Sequence, residues 1–165
     1  MMEAKVKRDF DLKGEVYENF RDNKDIFLTN AQIYEIFEKF WADNCSDLIS
    51  EKNPVLYIVG AQPGAGKTGL VEKFEYNLKI KSLVSDIYRE LHPNAKKFTL
   101  DKNYSSYTGP INGVIGMLCK ARCIDRKISF IQETSMGHLD SVFNIINQAN
   151  ENGFTISLNL LIVKI

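Results

Sequence analysis

Eight residues in one loop are typed and spaced for phosphate chemistry. Ala61-Gln62-Pro63-Gly64-Ala65-Gly66-Lys67-Thr68 follows the apolar run Val55 to Val59 and fits G-x-x-x-x-G-K-[ST], with alanine in the first place. Gly64 and Gly66 let the backbone curl so that successive N–H groups point inward as an anion nest. A helix opening near Lys67 adds its positive N-terminal end. Lys67 is then placed to reach the β- and γ-phosphates, and the Thr68 hydroxyl to hold Mg2+. The expected cradle is Gly64, Ala65, Gly66, Lys67, Thr68 and Gly69, and its expected ligand is ATP or GTP with magnesium. Ala61 is the one deviation. Its Cβ is small and Gly60 precedes it, so little harm is expected. The alternative, a glycine-rich turn with a surface lysine, gives no reason for the strand before and the amphipathic helix after.

Two carboxylates come next. In "LVSDIYRELHPN", residues 83 to 94, Asp86 falls where a second strand should end. Open α/β sheets place their ligands at that carboxyl edge. A carboxylate there can accept a hydroxyl proton as a phosphoryl group leaves its donor. Asp86 also precedes "IYREL", and Asp is a favoured helix N-cap, so position alone leaves both readings open. In "FIQETSMGH", Glu133 falls at the edge of a third strand, where an acid can stand near magnesium, and Thr134 and Ser135 follow with hydroxyls. The alternative for Glu133 is a solvated loop acid. His92 and His138 read as structural or surface residues. Cys119 and Cys123 are spaced i,i+4, but neither a histidine nor a second cysteine pair accompanies them. With Cys45 they read as buried free thiols.

These residues need a scaffold of alternating strands and helices. Residues 1 to 53 read as a helical segment. The strongest piece is "TNAQIYEIFEKFWADN", in which Ile33, Ile36, Phe37, Phe40 and Trp41 recur at helical spacing and Thr29 with Gln32 forms a capping-box pattern. From 54 to 165 the pattern becomes α/β. Val55 to Val59 reads as a doubly buried strand. A helix runs from Thr68 to Leu78 with Leu70, Val71, Phe74 and Leu78 inward, and a short strand ends near Val84. The polar stretch 93 to 110 reads as a loop. Helices are expected around Ile111 to Leu118 and Leu139 to Ile146, the latter stopping at Asn152-Gly153. Strands are expected at 128 to 132 and 154 to 165. Such alternation implies a parallel sheet with flanking helices, a P-loop kinase-like core.

Composition sets the bounds. The 165 residues suit one domain, with 44% hydrophobic and 25% charged residues. Lys plus Arg and Asp plus Glu both count 21. That balance argues against broad binding to nucleic acid or to an anionic membrane. The charged N-terminus "MMEAKVKRDFDLKGE" does not read as a secretory signal, and no apolar run is long enough to span a membrane. A cytoplasmic protein is expected.

"GAQPGAGKT", "SDIYRELHPN" and "FIQETS", in that order and spacing, resemble the zeta-toxin family of toxin–antitoxin systems over residues 55 to 165. The Gln-Pro inside the loop and the aromatic–basic–x–x–His-Pro run make the likeness more specific than the phosphate loop alone. The resemblance implies a kinase that moves the γ-phosphate of ATP to a hydroxyl of a sugar nucleotide such as UDP-N-acetylglucosamine, with an antitoxin protein as a partner. By position it implies Asp86 as general base, Lys67 and Thr68 on the nucleotide, Glu133 as the third-strand acid, Thr134 or Ser135 against substrate, and Arg89 at the basic position. Two departures stand out. Met117 lies near the place of an acid expected to face the sugar, and the lid arginines of the family would lie beyond Ile165. The resemblance therefore implies a chain shortened at its C-terminus. Two alternatives stay open: a nucleotide-binding module without transfer activity, and a P-loop kinase with a different acceptor.

Overall fold

The computed structural model describes residues 1–62, 65–83, 86–135 and 139–161. They form two compact units interleaved along the chain. The first takes Met1–Ser46 and Val84–Arg122, the second Asp47–Leu83 and Cys123–Ile165.

The first unit is helical: α1 (Met2–Leu12), α2 (Asn30–Cys45), a 3-10 turn at Asp86–Leu91, the single turn α4 (Ala95–Phe98) and α5, which begins at Tyr104 and runs to Asp125. α2 starts as its sequence predicts. The Gln32 N–H donates to Thr29 Oγ1 at 3.2 Å, and the Gln32 side chain accepts the Thr29 N–H at 2.9 Å. Such a cap contributes about 1 kcal/mol. Its buried face is Ile33, Phe37, Trp41 and Cys45. Arg122, only 3% exposed, sits over the Phe37 ring at 4.2 Å. Its guanidinium donates to Glu3 of α1 and, at 2.9 and 2.6 Å, to both carboxylate oxygens of Glu38 of α2. A buried charge needs such partners, because water cannot solvate it there.

The stretch 93 to 110 corrects the sequence reading. It holds α4 and the first turns of α5, with Pro110 inside the helix. Proline removes a helical N–H and crowds the carbonyl four residues back, so it normally ends a helix. Here the fully buried Tyr17 reaches into the gap. Its hydroxyl donates to the Tyr107 carbonyl at 2.7 Å and accepts the Ile111 N–H at 3.4 Å. A side chain 90 positions away thus serves the backbone groups on either side of Pro110.

His92, 2% exposed, makes a third long-range polar tie in the unit. Its Nε2–H donates to the Ile26 carbonyl at 2.9 Å, and its Nδ1 accepts the Asn94 N–H at 3.1 Å. Those two bonds fix the neutral ring as the Nε2–H tautomer, and burial lowers its pKa. The structural reading of this histidine holds. Cys45, Cys119 and Cys123 are buried thiols outside any disulfide, and burial pushes the Cys119 thiol up to about 12.

The second unit holds a wholly parallel four-stranded sheet in the order β2-β3-β1-β4, with β1 (Val55–Ala61), β2 (Lys81–Ser82), β3 (Phe130–Thr134) and β4 (Thr155–Leu161). The parallel α/β sheet expected from alternation is therefore present. Leu56, Ile58 and Val59 of the central β1 are fully buried. α3 (Lys67–Leu78) connects β1 to β2 past β3, and α6 (Leu139–Glu151) connects β3 to β4 past β1. Right-handed crossovers running in opposite directions put these helices on opposite faces. The α3 face buries Val59, Val71, Ile80 and Ile131, with Leu70 and Phe74 half-buried against them.

Two predicted helix faces need adjustment. Leu78 is 42% exposed in the last turn of α3. On α6, where helical spacing marks Leu139, Val142, Phe143 and Ile146 as the inward face, Val142 is buried as expected, but Leu139 and Phe143 are exposed and Ile145 and Ala149 are buried. α6 packs on the edge strand β4, and one narrow stripe covers an edge. The stop at Asn152-Gly153 is as predicted. Gly153 takes φ +79, and the Phe154 N–H reaches back to the Ala149 carbonyl at 3.0 Å.

Candidate phosphate site

The two crossovers leave β1 in one direction and β3 in the other. Between these neighbouring strands lies the topological switch point, where open α/β sheets form a crevice beyond the strands' carboxyl ends. The glycine loop and Glu133 meet at this point. Gly60 of β1 stands in register with Thr134 of β3, and Val59 with Glu133. Ala61 ends β1, 4% exposed and paired with Leu161, so alanine serves there as a strand residue.

The described part of the loop turns tightly, with the Ala65 N–H donating to the Gln62 carbonyl at 3.1 Å. Gly66 is the N-cap of α3 at φ +83, ψ +22. A Cβ there would meet nothing within 4 Å, so the left-handed backbone, not crowding, calls for glycine. No side chain caps α3, which leaves its first N–H groups for an anion. Lys67 opens the helix, and Thr68 and Gly69 follow it, both exposed. Pro63 and Gly64 lie outside the described residues, as do Val84 and His138.

Lys67 Nζ stands 3.7 Å from Glu133 Oε2, with side chains 27% and 14% exposed. Glu133 Oε1 accepts the Ser82 hydroxyl at 2.9 Å, and the Ser82 N–H donates to Glu75 Oε1 of α3 at 2.7 Å. The sequence reading singled out neither Ser82 nor Glu75. Their one signal was a hydroxyl closing the second strand, whose meaning depends on β2 lying beside β3. Thr134 ends β3, half-buried, and Ser135 follows it, exposed.

Among the described residues no group of three His, Cys, Asp or Glu side chains could hold a metal by itself. The residues nonetheless fit magnesium. This ion favours oxygen, and it binds through one or two carboxylates together with phosphate oxygens. Among the described residues, one Glu133 oxygen is held only by a loose charge contact, and Thr68 supplies a hydroxyl.

Asp86 and Arg89 belong to the first unit. Asp86 opens the 3-10 turn with its side chain 83% exposed, 3.4 Å from Arg89 Nε. Arg89 Nη1 donates to the Ser105 carbonyl at 3.1 Å and to Thr108 Oγ1 at 3.3 Å. Arg89 thus ties Asp86 to the start of α5. Met117, half-exposed, lines a cavity of about 280 Å3 in this unit with Val6, Phe10, Val16 and Val114. Among the described residues no helix is long and apolar enough to cross a membrane.

Comparison with known proteins agrees with this architecture. The zeta toxin family model matches residues 40–165. A solved structure from the PezAT chromosomal toxin–antitoxin system of Streptococcus pneumoniae superposes with a TM-score of 0.74 at 17% identity, over 83% of this chain. The chain spans 58% of that structure's length. A kinase candidate from Chloroflexus aurantiacus gives a TM-score of 0.49 at 22% identity, covering 67% of this chain and 60% of its own. No curated protein matches. The family match covers well over half of the residues: the chain belongs to the zeta-toxin family.

Proposed function

We propose that this protein is a phosphotransferase that passes the γ-phosphate of ATP (or GTP), with Mg2+, to a hydroxyl of a small acceptor. The observation that carries the reading is the pairing of Lys67 with Glu133 at 3.7 Å at the switch point of the sheet, beside the uncapped start of α3. A lysine and a carboxylate so placed neutralise each other until phosphate enters. Phosphate then draws Lys67 by charge and takes the free N–H groups of α3. Magnesium, when bound, neutralises charge on the β- and γ-oxygens, and Thr68 and Glu133 are the residues that would hold it. Gly64, Ala65, Gly66 and Gly69 complete the cradle.

Asp86 is proposed as the general base that takes the acceptor hydroxyl's proton, with Arg89 holding its carboxylate. Thr134 and Ser135 are proposed as acceptor contacts. The acceptor class proposed is a sugar nucleotide such as UDP-N-acetylglucosamine, on the strength of family membership. An antitoxin protein is proposed as a partner, since the fold neighbour comes from a toxin–antitoxin system.

Calorimetric titration with ADP and γ-phosphate transfer from radiolabelled ATP test the scheme. Lys67→Ala is expected to lose nucleotide binding. Asp86→Ala is expected to keep binding and lose transfer by a factor of about 10² or more. Transfer retained in Asp86→Ala would remove it as the base. Binding without transfer to any sugar nucleotide would favour the binding-module alternative. Transfer to another hydroxyl compound would move the acceptor class, and the apolar cavity beside Met117 would then direct the search. Growth arrest on expression, relieved by Lys67→Ala, would support the toxin assignment.

A further inference from the structure

The outer strand β2 contributes a residue that no phosphate motif includes. Ser82 ends β2 in register with Ile131 of β3, so its side chain leaves on the face shared by Ile131 and Glu133. Its hydroxyl donates to Glu133 Oε1 at 2.9 Å. Its backbone N–H donates to Glu75 Oε1 at 2.7 Å, which ties it to the helix that carries Lys67. Among the described residues, the other oxygen of Glu133 has only Lys67 Nζ at 3.7 Å, a charge contact too long for a hydrogen bond. The two grips on this carboxylate are therefore unequal: a well-formed hydrogen bond from Ser82 and a loose attraction to Lys67.

The inequality matters when ligand arrives. Phosphate competes with Glu133 for the Lys67 ammonium. Once Lys67 has turned, Glu133 is a largely buried carboxylate that must be held by something else, and Ser82 still donates to it. Resting on the phosphotransferase reading, we propose that Ser82 is the positioning residue of this site, keeping Glu133 Oε2 aimed at the bound magnesium after Lys67 has moved to phosphate. Ser82 neither gives up its proton nor touches substrate; it acts through Glu133. Hydrogen bonds that orient a ligating carboxylate typically affect metal affinity by about 10- to 100-fold.

The test is ADP affinity by calorimetry, with and without Mg2+, in wild type, Ser82→Ala and Ser82→Thr. Ser82→Ala is expected to leave metal-free ADP affinity within about twofold of wild type while the magnesium enhancement falls about tenfold. Ser82→Thr, which keeps the hydroxyl, is expected to restore most of that enhancement. Equal enhancement in wild type and Ser82→Ala would overturn the proposal. So would an equal loss with and without magnesium, which marks general damage to the loop. Should Ser82→Ala fail to fold, Glu75→Ala frees the Ser82 backbone instead, and it is expected to shift the enhancement in the same sense by less; no shift there would overturn the proposal. Wild type that binds ADP under neither condition would bring down the nucleotide reading, and this inference with it. That outcome is distinct from one in which wild type binds and Ser82→Ala matches it.

Discussion

The two units solve the same problem with different materials. Of the four buried polar or charged residues among those described, His92, Thr108 and Arg122 lie in the helical unit and only Ser129 in the sheet unit. The sheet unit satisfies its backbone by ladder bonds between β1 and its neighbours, so its interior can be almost wholly apolar. The helical unit must pin segments that share no ladder. It uses a buried arginine across α1, α2 and α5, a tyrosine across Pro110 and a histidine between Ile26 and Asn94. Ladder bonds are numerous and individually small. Single side-chain ties are few, and each leaves a buried partner stranded when cut.

This contrast breaks most easily at Arg122. Arg122→Ala takes the cation from Glu3, whose carboxylate keeps the Tyr34 hydroxyl at 3.1 Å, and from the rings of Phe37 and Trp41. It is expected to cost roughly 3–5 kcal/mol by denaturant unfolding, with amide protection lost first in residues 1–46 and 84–122. Uniform loss across the strands of the sheet would erase the distinction between the units. Tyr17→Phe removes one hydroxyl and leaves the Tyr107 carbonyl and Ile111 N–H to each other or to nothing; roughly 1–3 kcal/mol is expected. A result near zero would show that α5 closes over Pro110 unaided. Thr29→Ala removes the α2 cap and should cost about 1 kcal/mol, and Thr29→Ser should restore it.

The smallest expected effect is set by pH. The folded-state pKa of His92 lies below its ordinary value of 6.5, so the folded state binds this proton less readily than the unfolded chain. The stability this represents is whole above pH 6.5, and it is lost as pH falls from there through the lowered folded value. Unfolding midpoints measured downward from pH 7 should therefore drop more in wild type than in His92→Gln, whose side chain does not titrate. Parallel curves would sink the assignment of the neutral Nε2–H ring.

Much of the second unit is legible in the sequence, because its signals are local. A continuous apolar run makes β1, Gly66 with Lys67 opens α3, and Asn152-Gly153 closes α6. The α2 capping box is equally local. What escapes is whatever depends on a distant partner. Residues 93 to 110 look like a loop because their proline is visible and the tyrosine that accommodates it lies far upstream. The outward turn of Phe143 depends on β4 being an edge strand, and Ser82 gains its meaning only when β2 lies beside β3. Lys67 and Glu133 were both found, but their pairing follows from register.

The sheet order also sets a timetable. β1 is central, yet Val59 pairs with Glu133 and Val55 with Thr155, a hundred positions later. Contacts so distant form slowly, since long loops must close before any pairing rewards them. As the chain leaves the ribosome, the strand that aims the glycine loop has neither lateral neighbour when it emerges. It gains β3 only after residue 130 is made and β4 only after residue 155. The phosphate loop is written early and framed last.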